Sequence, residues 1–445
     1  MMPSFAPSKE NGKKNEDPVS KRGRLLGFLR QMINEDTAIH ADPRGSVQLP
    51  ATCIFKVPDE LREPKASAYT PRVVSLGPLH KDDKHWHKGM DGHKKRYMHR
   101  LFLRSRSTDE AVEADIVKTE NICVDAMLEI VDEARAYYDA SHGLCEDDDV
   151  KFAEMLILDG CSQLELFYKV KIKEGFSDDP LLSNVLRQNN IIHDLVLLEN
   201  QTPFLVLEKL FECTLKRIEV NPPSSLTVLV LDFFEKAAVN IFGGTQMKKK
   251  DPPTSNHHVL GLLHSYLLLL DKRTEKKRSL SSNTLQPNLT ELETISRRFG
   301  IPKLCIFYDT ETLLRNLIAF EQLCPDIKLR HITSYAFLMD TLIDTKEDVH
   351  LLETAGVIEN NLGSGEDASD LFNNLCKNVV LGDFFFFFSQ WKQVDDYYNQ
   401  PWPKVLSLLR RNYFSNPWTG ISVIAALILF ALTVVQTVYN IRSSP

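Results

Sequence analysis

"LVLLENQTPFLVLEKLF", Leu195 to Phe211, sets four polar residues in succession between two apolar runs. Each run spaces its apolar side chains as a helix does, so the stretch reads as two helices broken at Asn200 to Thr202. Thr202 is the expected N-cap of the second helix, with Pro203 at the first position, where its missing N–H costs nothing. Upstream, "VKFAEMLILDGCSQLELFYKVK", Val150 to Lys171, gathers Phe152, Met155, Leu156, Leu166, Phe167 and Val170 on one face. Ile157, Leu158, Cys161 and Leu164 fill the remaining directions, and a helix apolar nearly all round belongs at the centre of a fold. Asp159 and Gln163 fall inside the stripe, so Asp159 needs a partner.

Helical spacing starts near Met90 and continues through "TETLLRNLIAFEQL", Thr310 to Leu323, and "SYAFLMDTLIDTKEDVHLLETAGVI", Ser334 to Ile358, with Gly356 as a helix stop. Before Met90 the pattern differs. "CIFKVPDELREPKASAYTPRVVSLGPLH", Cys53 to His80, carries prolines at 58, 64, 71 and 78, which forbid a long helix and suit extended pieces. Ile54–Val57 and Val73–Leu76 are the candidate strands. No repeat recurs at a solenoid period. The expected architecture is therefore mainly α: a helical domain over 49–411 with short extended or β segments near its N-terminus, preceded by a weakly ordered polar segment, 1–48.

The third expected region is a C-terminal transmembrane helix over 417–441. "NPWTGISVIAALILFALTVVQTVYN", Asn416 to Asn440, has no ionisable Asp, Glu, Lys, Arg or His between Arg411 and Arg442. Gly420 to Tyr439 at about 1.5 Å per residue matches a hydrocarbon layer of roughly 30 Å. Trp418 and Tyr439 stand where interfacial aromatics sit, with Gly420, Leu427 and Phe430 between them. Asn416 is a fitting N-cap before Pro417. Lys404, Arg410 and Arg411 precede the span and only Arg442 follows it, which places the bulk in the cytosol. The N-terminus has no signal-like apolar core. The expectation is a tail-anchored, single-pass protein of the plasma membrane or an endomembrane, with membrane lipid as one partner. Cytosolic placement requires the sequons at Asn200 and Asn288 to stay unmodified.

A net charge of −7 gives no reason to expect nucleic-acid binding. The cysteines at 53, 123, 145, 161, 213, 305, 324 and 376 form no CxxC pair, which fits reduced thiols. GxSxG, GxxxxGK[ST], HExxH and GxGxxG are all absent, and no cofactor is implied. "HKDDKHWHKGMDGHKKRYMHR", His80 to Arg100, groups His80, His85, His87, His93 and His99 with Asp82, Asp83 and Asp91. Its Lys and Arg residues repel a cation and no ligand spacing appears, so a solvated basic helix is favoured over a metal site. Asp159, Glu199, Glu208 and Glu321 lie in otherwise apolar helices as a candidate polar core, with Arg62, Arg96 and Arg315 as possible counter-ions. Buried acids can move protons, but structural pairing is the commoner use. In "DFFFFFSQW", Asp383 to Trp391, five phenylalanines cannot share one stripe, and core packing between helices is the expected use.

Seven ordered blocks then resemble one known family. "VPDELR", "AYTPRVVSLGPLH", "HKKRYM", "MLILDGCSQLELF", "LVLLENQTPFLVLEKLF", "LRNLIAFEQ" and "YFSNPW" are similar to the plant proteins defined by domain of unknown function 247, over nearly the whole chain beyond about residue 50. Lys81, Asp91 with Gly92, and Ser162 with Gln163 depart from that pattern. The stretch Gly300 to Thr312 is shorter than in the family, which weakens the case for a small β element there. The resemblance implies a largely helical plant protein with a C-terminal membrane segment and no established activity or catalytic residues. Some grass members are associated with self-incompatibility. The leading expectation is a membrane-tethered interaction, signalling or recognition protein with a protein partner. The alternatives are a self-incompatibility-type determinant facing outside the cell and an enzyme using the buried carboxylates.

Overall fold

In the computed structural model the helix expected to be central is central. The structure describes residues 52–81, 87–105, 112–139, 149–174, 178–219, 221–237, 257–268, 304–382, 385–388, 392 and 417–443. The expected segment 1–48 and Asn288 lie outside them. Helix α1 is the single turn Asp59–Arg62; α2 (His87–Arg104), α3 (Val112–Ala136), α4 (Asp149–Ile172), α5 (Val185–Leu195), α6 (Phe204–Cys213) and α7 (Leu226–Ala237) follow, then α8 over 259–268. Every residue from Asp159 to Val170 of α4 is buried. It packs against α2, α3, α6 and α7, which is why its apolar side chains point in every direction. Gly160 marks the closest approach: a Cβ there would fall 2.5 Å from Leu210 Cδ1 of α6.

A second hydrophobic cluster is built from α9 (Thr310–Leu323), α10 (His331–Leu342), α11 (Lys346–Thr354) and α12 (Gly365–Leu375) around a two-stranded parallel sheet. Strand β1 (Leu304–Ile306) pairs with β2 (Ile358–Asn360), Leu304 opposite Ile358. The β element thus forms where the short Gly300–Thr312 stretch argued against it. Local signals set these helices. Thr345 and Asp348 form a capping box on α11, and Ser364 caps α12 by accepting from Asp367 N. Gly356 ends α11 at φ +72°, with Gly356 N bonded to Glu353 O and Val357 N to Leu352 O. That Schellman geometry turns the chain directly into β2.

Three expectations are corrected. The candidate strands do not form: Ile54 makes an isolated bridge to Tyr138, and Val73–Leu76 is paired with no strand among the described residues. Thr202 is buried and does not cap α6, which begins at Phe204 after Pro203; the Thr202 hydroxyl accepts instead from Gln163 Nε2 at 2.7 Å. The C-terminal correction is the largest. A helix α13 (Pro417–Ser443) begins at Pro417 as expected, yet among the described residues no helix is long and apolar enough to cross a membrane. Along α13 Phe430 and Tyr439 are exposed. The side chains of Trp418, Gly420 and Leu427 lie outside the described ones. The transmembrane helix and the single-pass membrane placement are therefore withdrawn.

Of the phenylalanine run, Phe387 is buried in the second cluster, Phe385 and Phe386 pack against it, and Phe388 is exposed. Thr202→Ala is expected to lower stability by about 1–3 kcal/mol, the cost of a buried hydrogen bond left unmade, while helix content stays constant because no cap is lost. Urea unfolding followed by circular dichroism checks both halves of that expectation.

Candidate functional site

The segment Arg72–Gly77 is irregular and largely buried, so its backbone N–H groups need partners that no strand supplies. Side chains supply them. Asp194, near the end of α5, accepts from three successive amides: Arg72 N to Oδ1 at 2.8 Å, Val73 N and Val74 N to Oδ2 at 2.6 and 2.8 Å. Asn200 accepts from Leu76 N at 2.6 Å and returns its amide protons to Val74 O and Asp194 O. Asp159 accepts from Gly77 N at 2.8 Å and pairs with Lys94 Nζ of α2 at 2.6 Å. Gly77 sits at φ +67°, and a Cβ there would fall 2.9 Å from Gln201 O, so the close approach requires glycine.

The polar break read in the sequence is the hub of this network. Glu199 accepts from Val57 N at 2.6 Å and pairs with Arg62 at 2.5 Å and His80 Nε2 at 3.1 Å. Gln201 donates to Leu195 O and Leu197 O and accepts from Leu260 N of α8. Asn316 of α9 accepts from Leu198 N and donates to Ala68 O. The side-chain amide of Asn200 is wholly buried and already bonded, so its sequon is closed to glycosylation in the folded chain.

The four acids named from sequence do not converge. Asp159 and Glu199 both grip the irregular N-terminal stretch, at Gly77 N and Val57 N. Glu321 works elsewhere, accepting from Ile332 N and Thr333 N in the first turn of α10 and from His264 Nε2 at 2.8 Å. There a buried carboxylate satisfies orphan donors and complements the helix dipole. Glu208 is exposed on α6 and takes no part. Among the expected counter-ions Arg62 serves Glu199, Arg315 serves Glu311 at 2.8 Å, and Arg96 is exposed. Asp194, Asn200, Gln201 and Asn316 are not singled out by the sequence as site residues; for Asn200 and Gln201 the available signal is the unbroken polar run Glu199 to Thr202.

Charge is handled locally. Burial pushes the Glu199 carboxyl up, but the hydrogen bond from His80 and the Arg62 guanidinium bring it below its ordinary value. Asp179 behaves alike: burial raises it, while bonds from Lys169, Leu181 N and Tyr97 bring it down. No group of His, Cys, Asp or Glu among the described residues could hold a metal ion; His85 of the histidine-rich stretch lies outside them.

A cleft of about 440 Å³ lies elsewhere, between Pro64 and Lys65, Tyr308 with the start of α9, and α12. Lys65, Tyr308, Glu311, Arg315, Asp367 and Asp370 give it its chemistry. A profile of the plant family of domain of unknown function 247, described as "Plant protein of unknown function", matches residues 54–432. The chain belongs to that family. It is 28% identical over 432 residues to UPF0481 protein At3g47200 of Arabidopsis thaliana, covering 88% of this chain and 86% of that one. It is 32% identical over 149 residues to Putative UPF0481 protein At3g02645 of the same plant, 34% of this chain and 28% of that one. No solved structure matches.

The depressed Glu199 and Asp179 carboxyls fix the sign of the acid response. Their contribution is fully present above the ordinary carboxylate values, 4.5 for Glu and 3.8 for Asp, and is lost as pH falls through the lower folded-state values. Thermal melts from pH 7 to 2 are expected to show Tm falling below about pH 4.5. Glu199→Gln is expected to be less stable at pH 7 and to lose part of that slope; an unchanged slope contradicts the assignment.

Proposed function

We propose that this member of the family works by binding, as an interaction or recognition protein for a protein partner, and not by turnover. One observation carries the reading: three of the four acids that sequence suggested for proton transfer, Asp159, Glu199 and Glu321, are spent on structure, and the fourth, Glu208, is exposed on α6. Both oxygens of Asp159 are taken by Gly77 N and Lys94, and those of Glu199 by Val57 N, Arg62 and His80. Those of Glu321 are taken by His264, Ile332 N and Thr333. A general acid or base needs a proton-accepting site within reach of substrate, and these sites are closed by hydrogen bonds. The cleft beside Tyr308 is open and of ligand-binding size. Its acidic residues and the net charge of −7 speak against nucleic acid.

Proximity labelling in plant cells tests this with three baits: the native chain, an Asn374→Trp chain whose cleft is filled, and free labelling enzyme. The expected outcome is a defined set of proteins labelled by the native chain and depleted by Asn374→Trp. A native set indistinguishable from free enzyme contradicts the proposal.

A further inference from the structure

We propose that the cleft beside Tyr308 binds a basic side chain, arginine or lysine, on an extended segment of the partner protein; this rests on the recognition reading above. The cleft's own cations are already satisfied. Glu311, mostly buried, holds Lys65 Nζ on Oε2 and accepts from Arg315 Nε on Oε1, while Arg315 Nη2 donates to Asn374 O at 3.0 Å. With two cations against the three carboxylates Glu311, Asp367 and Asp370, the lining is left with one excess negative charge. That excess sits on α12. Asp367 and Asp370 are three residues apart on one helix face, both exposed, and neither forms an ion pair among the described residues.

The acidic pair does not stand alone. Tyr308 forms the facing wall with 79% of its surface exposed, yet it is fixed in place by its hydroxyl, which donates to Leu362 O at 3.3 Å. A pinned, solvent-facing aromatic ring beside two carboxylates offers a cation both a π face and charge-assisted acceptors. The space, about 440 Å³, takes a long side chain together with part of its backbone. A metal ion is a poorer occupant, because no metal-holding group is present among the described residues. An anionic ligand would meet the unpaired carboxylates.

The test selects a randomised nine-residue displayed peptide library on the full native chain, with Asp367→Asn/Asp370→Asn as the counter-selection. Both positions are exposed, so an unchanged Tm confirms that the double variant is folded. Arginine or lysine is expected at one enriched position. Fluorescence anisotropy of the selected peptides is expected to show at least a tenfold loss of affinity on the double substitution. Replacing the enriched arginine by citrulline, or lysine by acetyl-lysine, is expected to do the same, and affinity should weaken as salt rises. Selection without a basic position, or peptides indifferent to both changes, overturns the ligand class. If the labelled partners in cells are lost with Asn374→Trp but kept by the double variant, recognition by the cleft stands and the basic ligand fails. If neither variant alters them, the cleft itself is the wrong surface.

Discussion

A stretch of buried backbone with no strand beside it governs this structure. From Arg72 to Gly77 the chain runs without regular structure between helices, and five of its N–H groups end on side chains: three on Asp194, one on Asn200 and one on Asp159. Each such donor left unpaired would cost about 1–3 kcal/mol. Lys94 compensates the Asp159 carboxylate, and the His193 ring lies within hydrogen-bond distance of Asp194, Nδ1 to Oδ1 at 3.0 Å. Helices α2, α4 and α5 are thereby fixed to one another through a segment that has no regular structure of its own.

The chain just before that segment connects the core to the cleft. It carries Arg62 to Glu199 and Lys65 to Glu311, while Asn316 joins Leu198 N to Ala68 O. Glu311 and Arg315 therefore reach the cleft floor already oriented by contacts that belong to the fold. Preorganised charge of this kind loses little on binding, which suits recognition. The exposed residues of α12 are free of that duty, and the cleft can select a ligand through them without disturbing the interior.

How far the sequence could be read follows from the range of each interaction. The all-round apolarity of α4 and the stop at Gly356 are local signals that appear in the structure, and so is a break between two helices, though it runs wider than Asn200 to Thr202, from Val196 to Pro203. Asp159 visibly needed a partner, but Lys94 lies 65 residues away and no spacing rule points to it. Val73–Leu76 has the branched residues of a strand, yet its hydrogen bonds go to side chains, a distinction that alternation does not carry. Strands β1 and β2 are three residues each and far apart in sequence, too short to show a period. The C-terminal run reads as a span from its uniform apolarity, yet among the described residues no helix is long and apolar enough to cross a membrane. The cleft was invisible, being assembled from the turn after Pro64, the start of α9 and α12.

Hydrogen exchange resolved to single amides tests the central claim most directly. If side chains replace a strand partner, the amides of Arg72, Val73, Val74, Leu76 and Gly77 exchange as slowly as those in the middle of α4, because opening them requires the core to open. Asp194→Asn should then speed exchange at Arg72, Val73 and Val74 before it does so in α4. Exchange of these five amides at the rate of an exposed loop would contradict the account.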